Sequence, residues 1–279
     1  ATFAASIKSL TLAELSRIWS LNSQQKISTL FSVLGIDPRE YSHILQNLGL
    51  SPDELITNPE HDERVQSLFK NQEFLSNTRK SIEEKHANLY AYLEQKGIEP
   101  EQALSCVDIG WRGTIQDNLA YILPDNQIFG YYLALRRFVN PQPPNVTKMA
   151  FGPDERVAYD MSFFETFEPL EMLCNSAHGS VTGYANQQGK IVPVREIHSQ
   201  ENKAFEKFAR HFQDGVIAAT KIQQSFIADH ALHSSEMRMS ALQVWKTLSR
   251  QPPRQLLEAY YVSPQHDLFG FGGFFDRGQ

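Results

Sequence analysis

The chain has 279 residues with a formal net charge of −6, and 41% of them are hydrophobic and 11% aromatic. That is enough for one large or two modest domains with a substantial core, and its charge gives no bulk attraction to nucleic acid or an anionic membrane. No apolar run reaches the roughly 20 residues of a membrane span and no signal peptide opens the chain, while Cys106 and Cys174 make neither a disulfide framework nor a zinc site, so a reducing, cytoplasmic setting is expected.

Residues 1–100 read as a helical, cap-like region without a fixed-period repeat. Leu10, Leu12, Leu15, Ile18 and Trp19 lie close to one helical stripe over Ser9 to Leu21. Ser28 to Leu34 and Tyr41 to Leu48 give two further helices, ended by Gly35 with Pro38 and by Gly49. Ser51-Pro52-Asp53-Glu54 has the composition of a helix start, with a serine cap, proline in the first turn and acids beside it. Asn58-Pro59 would break that helix. One long amphipathic helical region is then expected from Asp62 to Gly97, carrying Val65, Leu68, Phe74, Ile82 and Leu89. The chain opens on Ala1, which suggests a fragment or a processed product.

The character changes in residues 101–279, which read as an α/β region with C-terminal helices. Leu104, Cys106 and Val107 lead into Asp108 as a short strand expected to be covered on both faces. Gly110 and Gly113 bracket a turn. Thr114 is placed to cap a helix carrying Ile115, Leu119, Ile122 and Leu123, which Pro124 stops. A strand ending in an acid, then a glycine loop and a helix N-terminus, suits a phosphate or a metal–phosphate pair. Free N–H groups and the helix dipole favour an anion, Arg112 adds a fork for phosphate oxygens, and Asp108 could hold a cation beside it. The other reading is an ordinary strand-to-helix turn in which Asp108 accepts from local backbone N–H groups.

Gln127 to Leu135, rich in aromatic and β-branched residues, reads as a second strand, so a parallel crossover is expected. Ligands of such sheets sit beyond the carboxyl ends of the strands, where Asp108 falls. Arg136 and Arg137 lie at the same end, either serving a phosphate or simply solvated, and Asn140-Pro141-Gln142-Pro143-Pro144-Asn145 is a stiff loop.

Phe163, Phe164, Phe167, Leu170, Met172 and Leu173 accompany Glu165, Glu168 and Glu171. Paired carboxylates do acid–base work, and Glu171, flanked by apolar residues, is the strongest candidate; a helix with a wet acid side is the plainer reading. Ala177 to Tyr184 looks like a turn entering a strand. Gln187-Gln188-Gly189-Lys190 then suits a hairpin returning along Ile191-Val192-Pro193-Val194. His178 is a candidate base or phosphate donor, or a turn hydrogen-bonder. A long helix from Glu201 to about Ala231 carries an aromatic stripe expected to be core, with Gly215 marking a close helix approach. Helices over Ala241 to Leu248 and Arg254 to Tyr261 follow. The tail from Asp267 to Phe275 is glycine–aromatic and reads as a docking strand, a lid or a partner contact.

The run Val107-Asp108-Ile109-Gly110-Trp111-Arg112-Gly113-Thr114-Ile115-Gln116 resembles the "DIGW-x-GT-I-Q" signature of large bacterial surface-polysaccharide biosynthesis proteins. Ile128 to Tyr132, Leu170-Glu171, His178 to Tyr184 and Val192-Pro193-Val194 fit the same pattern, over roughly residues 25–230. Those proteins carry a haloacid-dehalogenase-like region and often adjoin glycosyltransferase domains. The resemblance implies an α/β fold with a helical N-terminal cap-like half, then a Rossmann-like parallel sheet, a small hairpin and C-terminal helices. It implies a magnesium-dependent site for a sugar nucleotide or another phosphorylated small molecule. Asp108 would hold the metal, with Glu171 and His178 beside it. Gly110, Arg112, Gly113 and Thr114 would bind phosphate. The sequence departs from the dehalogenase pattern in lacking the Asp-x-Asp nucleophile, which in the resembling proteins lies in an upstream segment. Asp108 then corresponds to the later acidic motif, and the chain alone would be catalytically incomplete. The alternative is a non-catalytic binding or scaffolding module of a polysaccharide assembly complex. Phosphoribosyl-transfer chemistry is disfavoured by the single acid ahead of the Gly-Thr loop.

Overall fold

The apolar positions of the first hundred residues recur at helical spacing, and helices form there in the computed structural model, which describes residues 2–19, 25–157, 168–262, 265–266 and 274–275. The helices are α1 (Thr2–Ser6), α2 (Leu12–Trp19), α3 (Ile27–Leu34), α4 (Ser42–Asn47), α5 (Glu63–Leu68) and α6 (Gln72–Gln95). Their apolar stripes meet in one core that includes Leu15, Trp19, Phe31, Leu45, Leu68 and Phe74. Its centre is aromatic. The rings of Phe31, Tyr41 and Phe74 lie 5.4–5.8 Å apart between centroids, the tilted packing that ring quadrupoles favour.

One expectation for this half is corrected. Ser51 to Glu54 starts no helix. With Asn58-Pro59 so close, the segment turns instead, and Ile56 N–H donates to Gln25 O while Leu55 bridges Lys26. The helical region expected after Asp62 is present and is made of two helices, α5 and α6. Asp62 caps α5 through the Arg64 and Val65 N–H groups, and Asn71 caps α6 through Phe74 N–H at 2.9 Å. Each cap is a side-chain acceptor that starts a new helix.

The fold is α/β, with this helical half followed by a parallel sheet, a hairpin and C-terminal helices. Strands β1 (Leu104–Asp108), β2 (Ile128–Tyr132) and β3 (Val146–Ala150) run parallel in the order β1-β2-β3. Helix α7 (Thr114–Ile122) joins β1 to β2. The strand β3 was not foreseen, because Lys148 interrupts its apolar alternation. Residues Cys106, Gly130 and Lys148 stand in one row of the register and Val107, Tyr131 and Met149 in the next. Successive rows face opposite sides. The first side packs against α7, whose Gln116 lies so close to Gly130 that any Cβ there would collide with it. The second side is open: Val107 is 86% exposed, Tyr131 45% and Met149 38%. The expectation of a strand covered on both faces therefore fails at β1, since among the described residues no helix lies over the Val107 side.

The hairpin β4 (Ser180–Gln187) and β5 (Lys190–Glu196) turns at Gln188-Gly189 with positive φ at both, as its sequence requires. It docks on α6, where Gln95 donates to Ile191 O and accepts from Ile191 N–H, and Tyr92 packs on Tyr184 with centroids 4.6 Å apart. The C-terminal helices are α8 (Glu168–Leu173), α9 (Ser199–Ala204), a π-turn at Phe205–Ala209, α10 (Arg210–Asp229), α11 (Ser234–Arg250) and α12 (Arg254–Val262). The aromatic stripe of α10 is not core. Phe212, Val216, Ile217, Ile222 and Phe226 are exposed, and among the described residues nothing comes within 4 Å of the Cβ position of Gly215. In the tail, Gln265–His266 pairs with Phe274–Phe275. Phe163, Phe164, Glu165 and Phe167, and the intervening tail from Asp267 to Gly273, lie outside the described residues.

Candidate phosphate site at the end of the parallel sheet

Asp108 is the last residue of β1, and its Oδ1 accepts from Ile109 N–H at 2.7 Å. Burial pushes its carboxyl up from the usual carboxylate range, while the backbone N–H groups of Ile109 and Gly110 pull the other way. Its field reaches three neighbours. The thiols of Cys106 and Cys174 and the phenol of Tyr132 are each raised, by burial first and by Asp108 second.

The loop from Ile109 to Gly113 is held from both sides. Ala134 N–H donates to Ile109 O, and Arg136 N–H donates to Trp111 O at 2.8 Å. From β3, Lys148 Nζ donates to Arg112 O at 2.9 Å. From α8, Glu171 Oε1 accepts the indole N–H of Trp111 at 2.7 Å, and the Arg136 guanidinium lies 4.6 Å from the same indole ring. Trp111 and Gly113 are both left-handed, with φ of 68° and 66°. Glycine suits its position twice over. The backbone turns left there, and a Cβ would strike the Tyr132 hydroxyl and Lys148 Cε.

Gly113, not Thr114, is the N-cap of α7, and among the described residues no side chain caps the helix. The expected threonine cap is corrected, because the left-handed turn at Gly113 makes Thr114 the first helical residue. The first intrahelical bond runs from Asp117 N–H to Gly113 O. The amides of Thr114, Ile115 and Gln116 therefore precede the helical ladder, at the positive end of the dipole. Arg112 precedes them in the loop, its Nε donating to Arg137 O at 3.3 Å.

A buried polar network supports this loop from below. Lys148 Nζ pairs with Asp117 Oδ1 at 2.6 Å and donates to Gln142 Oε1 at 2.7 Å. Burial lowers the Lys148 ammonium and raises the Asp117 carboxyl, and their pairing opposes both shifts. Tyr132 Oη donates to Gln116 Oε1, and Gln116 Nε2 donates to the carbonyls of Ile128 and Thr147. Apart from the lysine inside the apolar run Val146-Thr147-Lys148-Met149-Ala150, Lys148, Asp117, Gln116 and Gln142 carry no local sequence pattern that marks them as part of this network.

The nine-residue helix α7 thus brings Asp108, Gly110, Arg112, Gly113 and Thr114 to one end of the sheet, and α8 adds Glu171 through Trp111. His178 does not join them. It is exposed on the turn before β4; its N–H donates to Ser176 Oγ, its carbonyl accepts from Arg195, and its ring makes no hydrogen bond to Asp108 or Glu171 among the described residues. A hollow along α6, lined by Gln72, Leu75, Ser76, Arg79, Lys80 and Glu83, includes no residue of the glycine loop.

For magnesium the fit is partial. Asp108 offers a hard carboxylate ligand, but the groups its charge bears on are two thiols and a phenol, which suit magnesium poorly. Among the described residues no group of three or more His, Cys, Asp or Glu side chains is placed to hold a metal. A magnesium ion here would draw its other ligands from phosphate oxygens and water.

No model of a known protein family matches the chain, and no curated protein compared with it matches either. The fold defines an α/β protein with an acid and a glycine loop at the carboxyl end of a parallel strand. Among the described residues no helix is long and apolar enough to cross a membrane.

Proposed function

We propose that the chain is a haloacid-dehalogenase-like domain of a bacterial surface-polysaccharide biosynthesis protein, binding the phosphate of a sugar nucleotide or a related phosphorylated small molecule. The observation that carries this reading is the uncapped N-terminus of α7, aimed beside Asp108 at the carboxyl end of β1. In this reading the amides of Thr114 to Gln116 and the guanidinium of Arg112 bind phosphate oxygens. Asp108 holds magnesium, which would neutralise phosphate charge when bound. Glu171 braces the loop and His178 plays no part. A nucleophile, where the intact protein uses one, comes from another segment of the same protein, and the work is cytoplasmic.

A second reading, a scaffolding module of a polysaccharide assembly complex, is favoured by the open sheet side at Val107, Tyr131 and Met149 and by the exposed apolar residues of α10. On this reading a glycosyltransferase domain or an upstream segment of the same protein covers those surfaces.

Calorimetric titration with a sugar-nucleotide panel, with and without magnesium, separates the two readings. The first expects magnesium-dependent binding that Asp108→Ala abolishes and Arg112→Ala weakens about tenfold, the worth of a charge-assisted hydrogen bond, with circular dichroism unchanged. No binding by the well-folded chain would overturn it in favour of the scaffold.

A further inference from the structure

Trp111 has φ of 68°, a conformation that residues with a Cβ avoid, and it stands between Asp108 and the α7 N-terminus. Something outside the loop must hold it there. The contacts that do so come from elsewhere in the chain. Arg136 N–H donates to Trp111 O, the Arg136 guanidinium lies over the indole, and Glu171 on α8 accepts the indole N–H at 2.7 Å. The indole also packs in a small apolar cluster with Leu170, Leu242 and Trp245, from α8 and α11.

We infer that Glu171 is a positioning residue: by accepting the indole N–H of Trp111 it keeps the left-handed loop in shape and so aims the α7 amides. This inference rests on the phosphate site proposed above, and it assigns Glu171 a role other than acid–base catalysis. The bond needs an oxygen acceptor at Oε1 and no titratable proton. It links the shape of the phosphate loop to the docking of α8, so displacement of α8 loosens the site without touching Asp108.

The test uses the whole chain and two readouts, amide hydrogen exchange over Gly110 to Gln116 and affinity for inorganic pyrophosphate with magnesium. Glu171→Ala and Trp111→Phe each remove the bond, the second while keeping an aromatic ring in the cluster. Each is expected to speed loop exchange about tenfold and to weaken pyrophosphate by about the same factor, as for a hydrogen bond to a charged group. The double variant is expected to be no worse than either single one, because both remove the same bond. Glu171→Gln keeps the oxygen and is expected to match the wild type in both readouts. If Glu171→Gln is as damaging as Glu171→Ala, or if Trp111→Phe leaves loop exchange unchanged, the positioning role is wrong. Should the wild type fail to bind pyrophosphate while loop exchange responds as described, the phosphate reading falls and the positioning role stands. Trp111→Phe carries the test if Glu171→Ala does not fold.

Discussion

Asp108 shows how one residue can be set against the stability of its own fold. Burial raises its carboxyl above the value an exposed aspartate has. Well below that value both folded and unfolded chains carry the proton. As pH rises through it, the unfolded chain releases its proton first, and stability falls until the folded carboxyl ionises too. Asp108→Asn keeps an oxygen acceptor for Ile109 N–H and removes this titration. The variant should melt a few degrees higher than the wild type at neutral pH, and the gap should close in acid. Thermal melts across pH check this; a gap that widens in acid would mean that the carboxylate stabilises the fold. At this scale the sequence was informative about Asp108, Gly113 and Arg112, since strand, glycine and helix signals are local. It said less about Glu171, because its partner Trp111 lies 60 residues earlier in the chain, and nothing in a sequence reading could bring them together.

Among the elements, α7 depends most on a residue that the sequence reading passed over. Lys148 reaches from β3 under the glycine loop to Asp117, Gln142 and Arg112 O, and its side chain is almost wholly buried. Removing one partner of a buried ion pair leaves the other charge uncompensated. Lys148→Met should destabilise the chain by about 3–5 kcal/mol, and adding Asp117→Leu should restore part of that loss. Urea unfolding of the three proteins checks this; a single variant as stable as the wild type would remove the network from the account. Element boundaries were read well where a cap or a glycine marks them, as at Gly35 and the Gln188-Gly189 turn. They were misread where proline and serine imitate a helix start at Ser51-Pro52. The stripe of α10 was read correctly as helical and wrongly as core, because periodicity reveals a face and not what covers it.

Across the whole molecule, the helical half and the sheet are joined through Arg17. Its guanidinium donates to Asn118 Oδ1 at 3.2 Å and lies 4.7 Å from the Tyr121 ring, and its carbonyl accepts from Asn140 Nδ2 at 2.8 Å. The first helices thereby brace α7 at Asn118 and Tyr121. The α/β class followed from the order of local patterns. The open sheet side did not, since an apolar strand reads alike whether or not a helix lies over it. That open side and the phosphate loop are the two surfaces that could carry the function, and they lie on different parts of β1: Val107 faces one way and Asp108 the other.

One measurement separates them most directly: amide chemical shifts of the chain followed by NMR during titration with a nucleoside diphosphate sugar and magnesium. A phosphate bound at the α7 N-terminus gives the largest shifts at Gly113, Thr114, Ile115 and Gln116, with smaller ones at Asp108 and Arg112. Shifts absent from those amides in a well-folded sample, or centred on Val107, Tyr131 and Met149, would contradict a phosphate site at the N-terminus of α7.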